Sequence, residues 1–544
     1  MPSSTTWFIF GITLIFLTVT RCIADSKLRK SKYKNVIFVG PTGIGTVIGF
    51  FQLLLGIRDF IQEGYDQHYG KLFAIPTLFQ MTIVVSGHDL IEDIRKASDD
   101  QLSLYGSIKE GMQTDYTMEP HILENPYHFR FIHLSLTRDL GGRFPELKEE
   151  VIAAFSELVP PTDSEEFILI LRDFHLTSQE TGPPFRLGLL ENLWSSESST
   201  DYLLVLHFVC PSPYAHCARG LPYMRQGNNS DYNEINDAYS DALVKTALII
   251  GFTPGFLKPI VSRLLDVYIP KTLRRAMKHV SPLVEERLEK EKLFGADWAG
   301  KSNDLLTWLI EKTPERDKLS VTTIKAITIR LLATMFAAYR PASMALTQAL
   351  FDLATFPAYI PELRAEVESI VKEEGISKDS IGKMYKLDSF VKESLRLRAG
   401  GKASMPRKVL KDFTFSNGTT VFAGSTIIAP GYAIHHDARH YSNPADFDGF
   451  RFARLREEQD DPVRYQMVSV NPTFMMFGNG RHACPGRFLV SALLKTMLAH
   501  VLITYDIKLE HNGRRPTDKW YTFSPAPNQT AGLLFRRRRS APSC

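Results

Sequence analysis

The sequence predicts a mainly α-helical fold with a small β region, arranged as a single large domain over residues 35–535. The first indication is the segment 322–355, where apolar side chains recur at helical spacing for far longer than in an average helix. The second is the segment 405–430, whose Asn-Gly pair and glycine-bounded apolar runs are typical of a small hairpin region. No internal repeat or long low-complexity linker divides the chain, so one core is expected.

The chain begins with an apolar segment that predicts a membrane anchor over residues 1–24. Residues 7–20 carry no charge, and the apolar run continues past Arg21, close to the roughly 20 residues that a helix needs to cross a bilayer. A cleaved signal peptide is the alternative, but residues 1–6 lack the basic start of such peptides. The basic linker 25–34 follows the anchor, so the positive-inside rule leaves the body of the protein in the cytosol.

The main domain is expected to begin with strands and to continue with helices. Residues 73–87 have the composition of two short strands around a turn, and residues 89–98 have helical spacing. An amphipathic helix over residues 362–375 ends at a glycine, and a further helix follows at 389–399. Residues 163–232 keep no clean period, which indicates a long loop or an irregularity of the sequence.

Composition and charge exclude several classes of protein. The 544 residues are 44% hydrophobic, and the net charge of +4 is too small to indicate a nucleic-acid partner. The C-terminal residues 536–544 form a short basic tail that is expected to be solvated. The cysteines are few and scattered, which argues against a disulfide framework and for a reducing compartment. They are Cys22, Cys210, Cys217, Cys484 and Cys544.

One of these cysteines, Cys484, stands in a glycine-rich segment that suits a metal-bound thiolate. The pattern Phe-x-x-Gly-x-x-x-Cys-x-Gly is formed by Phe477, Gly480, Cys484 and Gly486. Glycines let a backbone approach a cofactor closely, and the helical pattern after Gly486 places a helix N-terminus beside the sulfur, which favours the thiolate. His482 lies two residues before the cysteine, where we expect it to meet an anionic group. The alternative, a buried cysteine in a glycine loop, leaves the full spacing unexplained.

This segment resembles the haem-binding loop of the cytochrome P-450 superfamily, and a second motif agrees with it. Glu393 and Arg396 form a Glu-x-x-Arg pair on one face of a predicted helix, and Arg451 is a plausible third member. In the family such residues form a Glu–Arg–Arg network that fixes the core beneath the haem, whereas an isolated Glu-x-x-Arg is usually a solvated ion pair. Arg407 is similar to the family's strand arginine that pairs with a haem propionate.

The resemblance covers residues 35–162 and 233–535 and is greatest to membrane-anchored fungal enzymes of secondary metabolism. It implies a haem-thiolate cytochrome fold over residues 35–535, with one haem whose iron is bound by Cys484. It also implies that a flavoprotein, NADPH-cytochrome reductase, supplies the electrons and that a C–H bond is hydroxylated. The expected location is a single-pass protein of the endoplasmic reticulum membrane with its catalytic domain in the cytosol.

The long helix departs from the family pattern where it should cross the oxygen-binding face of the haem. The family usually has two small residues, a variable residue, an acid and two threonines there. This chain has Ala337 and Ala338 as the small pair, Arg340 at the acid position, Pro341 at the first threonine and Ala342 at the second. Arginine is a poor acid near neutral pH, and proline and alanine side chains donate no proton. The atypical residues Arg340 and Pro341 are therefore expected at the catalytic face without a proton relay.

Three functions remain open from the sequence. The first is an atypical monooxygenase that acts on a small apolar natural product, such as a terpenoid, with water or a substrate hydroxyl carrying protons. The second is a haem-dependent isomerase or peroxide-using enzyme that needs no reductase, because its substrate brings an activated O–O bond. The third, a non-catalytic haem protein, has less support. Thr334 and Ser343 carry the nearest hydroxyls, and helical geometry makes both poorly placed to replace the missing threonine.

Overall fold

The protein is described by a computed structural model in which helices predominate and a small β region lies to one side. The described residues are 33, 36–39, 60–76, 81–129, 140–158, 168–170, 230–265, 268–302, 304–313, 320–399, 401, 403–510, 513–521, 524–528 and 531–539. The predicted anchor over residues 1–24 lies outside them, and so do residues 171–229, most of the segment that keeps no period.

The α-helices include several of more than four turns, and the strands are all short. Helices span residues 60–67, His88–Lys96, Leu104–Gly111, Thr114–Thr117, His121–Glu124, Leu140–Leu158, Ser230–Gly251, Lys258–Leu265, Tyr268–Phe294, Leu305–Lys312, Val321–Thr355, Ile360–Glu374, Lys378–Lys383, Tyr385–Ser394, Gly431–His435, Arg451–Glu458 and Arg487–Thr504. Strands span Ile37–Phe38, Leu72–Pro76, Met81–Val85, Leu102–Ser103, Ile168–Ile170, Ser404–Val409, Phe413–Thr414, Thr420–Val421, Thr426–Ala429, Tyr505–Leu509, Lys519–Tyr521, Ser524–Ala526 and Leu533–Arg537.

The largest helix, Val321–Thr355, is called the long helix below. It begins where the Ser320 hydroxyl accepts a hydrogen bond from the backbone N–H of Thr323, which satisfies one of the unpaired donors of the first turn. It ends at Phe356, and Pro357 opens a short 3₁₀ turn. Its 35 residues confirm the expectation for residues 322–355. It packs through the main hydrophobic core against the helix Arg487–Thr504, called the cysteine helix below.

The helices that follow the long helix match the predicted segments, with one shift. Ile360–Glu374 ends at Gly375, whose φ of 68° lies in the left-handed region that glycine adopts without strain. The second helix begins at Tyr385, four residues before the predicted start, and after Ser394 it widens into the π-helical turn Leu395–Ala399. The sequence pattern does not distinguish that wider turn from a regular helix.

The largest of the four described sheets has six strands and joins distant parts of the chain. Its order is Ile37–Phe38, Leu72–Pro76, Met81–Val85, Thr426–Ala429, Ser404–Val409 and Leu102–Ser103. The two strands predicted in residues 73–87 are confirmed as an antiparallel pair. The segment 405–430 does form strands. Its first and last strands, Ser404–Val409 and Thr426–Ala429, pair with each other and with the N-terminal strands. The two strands on either side of Gly418 form a separate tight hairpin.

Two further features bear on the ends of the main domain. The predicted basic tail is in part folded, because Arg536 lies in the strand Leu533–Arg537 and pairs with Asp506, and Arg538 pairs with Glu368. Within the described residues, the long helix and the cysteine helix are the two that are long and apolar enough to cross a membrane. Both pack into the hydrophobic core, which accounts for their apolar composition.

Candidate active site

Cys484 lies in a tight loop between a 3₁₀ turn, Gly480–His482, and the cysteine helix. The backbone N–H of Cys484 donates to the carbonyl of Phe477 at 2.7 Å and closes the loop. Gly480 has a φ of 68°, and a Cβ there would lie 2.5 Å from the side chain of Arg95. The glycine of the motif is therefore required both by the backbone turn and by the helix His88–Lys96 packed over it.

The thiol of Cys484 is largely enclosed, and opposing effects act on its charge. Burial raises the pKa of Cys484, whereas the backbone N–H groups of Gly486 and Arg487 and the guanidinium of Arg487 lower it. The expected helix N-terminus is thus present beside the sulfur, but burial is the larger effect on the thiol. A bound metal cation stabilises a thiolate directly, so the enclosed sulfur fits a metal ligand better than a free thiolate.

A cavity of about 760 Å³ opens against Cys484. One wall is the long helix, and the opposite wall is the loop from Met476 to Gly486 with Leu489 and Val490 of the cysteine helix. A smaller cavity of about 280 Å³ also reaches Cys484 and is bounded by Arg407 on the strand Ser404–Val409. The two spaces share Phe477, so the predicted Phe477 lies at the junction of both.

The smaller cavity carries positive charge suited to the carboxylates of a haem. Arg407 is 4% exposed, and its described hydrogen bond goes to the adjacent carbonyl of Pro406 at 2.8 Å. Burial lowers the pKa of Arg407 to about 10, with Asp99 opposing this and Arg481 adding to it. A buried guanidinium paired with a neutral carbonyl leaves room for an anion, so the residues present fit the haem that the resemblance implies.

His482 lines both cavities, and in the structure its partner is a carboxylate of the protein. Its Nε2 lies 2.6 Å from Asp99 Oδ1, and its ring stands edge-on to Tyr105 with centroids 6.1 Å apart. The anionic neighbour of His482 within the protein is therefore Asp99. This residue lies in the turn after the helix His88–Lys96 and also lines the larger cavity.

The structure brings Glu393, Arg396 and Arg451 together as a buried triad. Arg396 donates to both carboxylate oxygens of Glu393 at 2.8 Å, and both side chains are fully buried. Arg451 Nε lies 3.2 Å from Glu393 Oε1. The guanidinium of Arg396 also donates to the carbonyl of His435, whose ring accepts the backbone N–H of Met475 at 3.0 Å. The triad is therefore connected, through His435, to the segment that enters the cysteine loop.

The long helix presents small residues to the larger cavity. They are Thr334, Ala337, Ala338, Pro341, Ala342 and Ala345. Ala337, Ala338 and Pro341 thus line the cavity, whereas Arg340 is not among the described residues that line it. Its guanidinium instead lies 2.5 Å from Asp241 on the helix Ser230–Gly251. The expectation that Arg340 occupies the catalytic face is corrected, because Arg340 is rotated about 100° from Pro341 around the helix.

Sequence reasoning missed several residues of the cavity wall. Thr334 faces the cavity despite its distance along the chain from Pro341, and its hydroxyl donates to the carbonyl of Arg330 at 2.7 Å. Tyr105, Ile108 and Phe129 form an aromatic and aliphatic side of the cavity. No motif marks these three, since they are single apolar residues of short helices and loops. The helical spacing of Thr334 and Ala338, four residues apart, could have indicated their shared face.

Comparisons with known proteins give matches along almost the whole chain. Residues 214–531 match the family described as cytochrome P450. The chain is similar to cytochrome P450 monooxygenase 151 of Postia placenta, with 33% identity over 96% of this chain and 98% of that relative. It is similar to cytochrome P450 monooxygenase 110 of the same fungus, with 33% identity over 93% and 94% of the two chains. It is also similar to cytochrome P450 monooxygenase CYP512U6 of Ganoderma lucidum, with 26% identity over 88% and 87%.

Proposed function

The chain belongs to the cytochrome P450 family and is a monooxygenase with haem as its cofactor, and from that premise we propose that it hydroxylates a small apolar natural product, such as a terpenoid. The observation that carries the proposal is the cavity against Cys484. Away from the cysteine loop, where the haem would lie, its described lining is mostly apolar, with Ile108 and Phe129 on the helices and loops of the N-terminal half and a row of alanines on the long helix. A pocket of this kind recognises its ligand by apolar contact and shape.

Several residues around Cys484 have a proposed role in binding the haem. Cys484 would hold the iron through its sulfur, and Gly486 lies beside that sulfur, where an added Cβ would come to 4.0 Å from it. Arg407 and His482 hold the carboxylates, and Phe477 packs at the junction of the two cavities. When bound, the haem supplies oxygen activation and C–H oxidation, with electron density from the thiolate favouring O–O cleavage.

The proton supply on the opposite wall is proposed to differ from the usual pattern. Pro341 and Ala342 carry no hydroxyl, and the hydroxyl of Thr334 is engaged by the carbonyl of Arg330. Pro341 also lacks an N–H, so the carbonyl of Ala337 four residues earlier loses its usual helical donor. Ala337 lines the cavity, so its carbonyl, without the helical donor, is a suitable acceptor for a water molecule. Water at this carbonyl, together with a substrate hydroxyl, would then carry protons in place of a threonine.

Two partners complete the proposal. NADPH-cytochrome reductase supplies electrons, because the family generally depends on a separate reductase. Residues 1–24 anchor the protein in the endoplasmic reticulum membrane, and the basic linker 25–34 keeps residues 35–535 on the cytosolic side. An apolar substrate dissolved in the same membrane would reach the enzyme readily.

The test is product formation by the full chain in microsomes, with the reductase and a panel of terpenoids. Hydroxylated product that requires NADPH, reductase and oxygen supports the proposal, and Cys484→Ser should abolish it. A matched control is Cys210→Ser, which changes a cysteine outside the family motif. Product formed without NADPH, or from peroxide alone, would instead support an isomerase or peroxide-using enzyme. The relatives, all named monooxygenases, do not favour that alternative.

A further inference from the structure

In the turn that contains Pro341, the long helix contacts the cavity on one face and a neighbouring helix on another. One face, with Ala337, Pro341 and Ala342, forms the cavity wall. The other continues a stripe at helical spacing, in which Phe336 is followed four residues later by Arg340. A movement of this turn therefore changes the cavity and the second face together.

The second face packs against the helix Ser230–Gly251. Their shared apolar cluster contains Ile329 and Leu332 of the long helix, with Phe336 packed against it, and it contains Tyr239 and Leu243 of the partner helix. Arg340 lies at the end of this stripe, and its guanidinium is 2.5 Å from the carboxylate of Asp241. The side chains of the pair are 26% and 25% exposed. Water and salt therefore screen the attraction between Arg340 and Asp241 less than they would screen a fully exposed ion pair at the surface.

The same turn is weakened by its proline. Pro341 lies inside the long helix, where it has no N–H to donate to the carbonyl of Ala337. Its ring also crowds that carbonyl, and such positions commonly bend or open a helix. The helix nevertheless continues without interruption from Val321 to Thr355. The ion pair of Arg340, on the residue before the proline, is an interaction that can compensate for the missing hydrogen bond at this point.

We propose that Arg340 is a positioning residue whose ion pair with Asp241 braces the proline-containing turn and so holds the cavity wall at Ala337, Ala338 and Pro341 in place. The pair ties the weakened turn to a second helix from outside, while the proline faces the cavity. The adjacent Arg340 and Pro341 therefore act as one unit: the proline opens the turn toward the cavity, and the arginine limits that opening. The coupling between the Arg340–Asp241 ion pair and the cavity wall requires both the contact between the two helices and the proline.

The experiment is a double-mutant cycle on the full-length holoenzyme with Arg340→Ala and Pro341→Ala. The first readout is amide hydrogen exchange of residues 337–342, and the second is the spectral dissociation constant of 4-phenylimidazole, a bulky ligand of the haem iron. With Pro341 present, Arg340→Ala should speed exchange at least tenfold and weaken 4-phenylimidazole binding at least threefold. With Pro341→Ala, which restores the backbone donor, both effects should fall below twofold.

Two controls separate this proposal from a general loss of stability. Lys325 pairs with Glu119 at 2.5 Å on the same long helix, about four turns before the proline. Lys325→Ala should leave exchange at residues 337–342 unchanged in either background. The exchanged pair Arg340→Asp with Asp241→Arg should restore much of the binding lost by Arg340→Asp alone.

Equal effects of Arg340→Ala in the two backgrounds would overturn the proposal, because the pair would then act independently of the proline. Failure of the exchanged pair to recover binding, with both proteins folded, would also overturn it. If Arg340→Ala does not fold, Asp241→Asn removes the partner's charge with little change in shape, and the same cycle with Pro341→Ala decides the question.

Discussion

Arg396 binds both carboxylate oxygens of Glu393 at 2.8 Å, and neither side chain is exposed to solvent. The remaining guanidinium donors of Arg396 reach carbonyls of residues that lead toward the cysteine loop, among them Pro444 at 2.8 Å. Removing one partner of such a buried ion pair destabilises the fold strongly, because the other partner is left as an uncompensated buried charge.

We therefore expect Arg396→Ala to lower the free energy of unfolding by about 3–5 kcal/mol and to yield protein with little haem. The measurements are denaturant unfolding and the haem-to-protein ratio after purification. Arg454→Ala is the matched control, since Arg454 pairs with Asp448 at an exposed position and should cost less than about 1 kcal/mol. A soluble, haem-loaded Arg396→Ala protein of normal stability would contradict this role.

A second prediction concerns the iron ligand. Cys484→Ser should remove the thiolate-type absorption spectrum of the reduced carbon monoxide complex, because a serine hydroxyl is not a thiolate donor. The protein should still fold, since serine is close to cysteine in size. The spectrum of Cys210→Ser should be unchanged. Persistence of the thiolate-type spectrum in Cys484→Ser would mean that another residue binds the iron.

Haem retention should also depend on Arg407. Arg407→Leu removes the buried guanidinium that we assign to a haem carboxylate, and it should release haem to apomyoglobin at least tenfold faster than the wild type. Lys408→Leu is the control on the next residue of the strand, whose side chain points to the other face and pairs with Glu110. Equal haem release from the two variants would exclude a specific contact from Arg407.

The glycine of the cysteine motif allows a clean comparison with a second glycine. Gly480 and Gly513 both have positive φ, at 68° and 73°, but a Cβ would meet Arg95 only at Gly480, with nothing within 4 Å at Gly513. Gly513→Ala should therefore cost only backbone strain, about 1–2 kcal/mol, and Gly480→Ala should cost more. Adding Arg95→Ala should recover the excess. Equal unfolding free energies for the two single variants would show that the Arg95 contact is readily displaced.

Stability is also expected to depend on pH. Burial lowers the pKa of Lys392 from its ordinary 10.5 to about 7, although Asp388 opposes the shift. Between these values the unfolded chain binds one more proton than the folded chain, so stability should rise with pH from about 7 toward 10.5. One proton corresponds to at most about 1.4 kcal/mol per pH unit.

The check on Lys392 is urea unfolding at pH 7, 8 and 9. Lys392→Met removes the titrating amine, and Lys392→Arg replaces it with a group that stays charged, so both variants should lose this part of the slope. In the fold the amine of Lys392 donates to the carbonyls of Tyr465 and Gln466, and Lys392→Met leaves them without that donor. A slope that is the same in wild type and both variants would assign the pH dependence to other groups.

The parts of the fold that follow from local chemistry were predictable from the sequence. The long helix, the helix that ends at Gly375 and the strand pair in residues 73–87 each depend on periodicity and on residues with a fixed backbone role. The pairing of the strand Thr426–Ala429 with Met81–Val85 was not predictable, because the residues near each strand do not indicate which distant strand it pairs with. The π-helical turn after Ser394 depends on packing and was missed for the same reason.

The candidate site shows the same division. The family resemblance implied that Glu393, Arg396 and Arg451 form one network, and the structure does bring these three side chains together. The ion pair of Arg340 was not predictable, because its partner Asp241 lies on another helix and no local pattern links the two residues. The cavity residues Tyr105 and Phe129 carry no spacing signal of their own.

The six-stranded sheet has a consequence for the order in which the protein can be made. Thr82 pairs with Thr426, so the N-terminal strands must wait on the ribosome until most of the chain has been synthesised before that neighbour exists. Closing so long a loop is slow and leaves apolar strand surface uncovered meanwhile. We expect nascent chains that stop before residue 404 to be bound by chaperones and to be digested readily by protease at residues 72–85. Chains extended past residue 429 should become protected there.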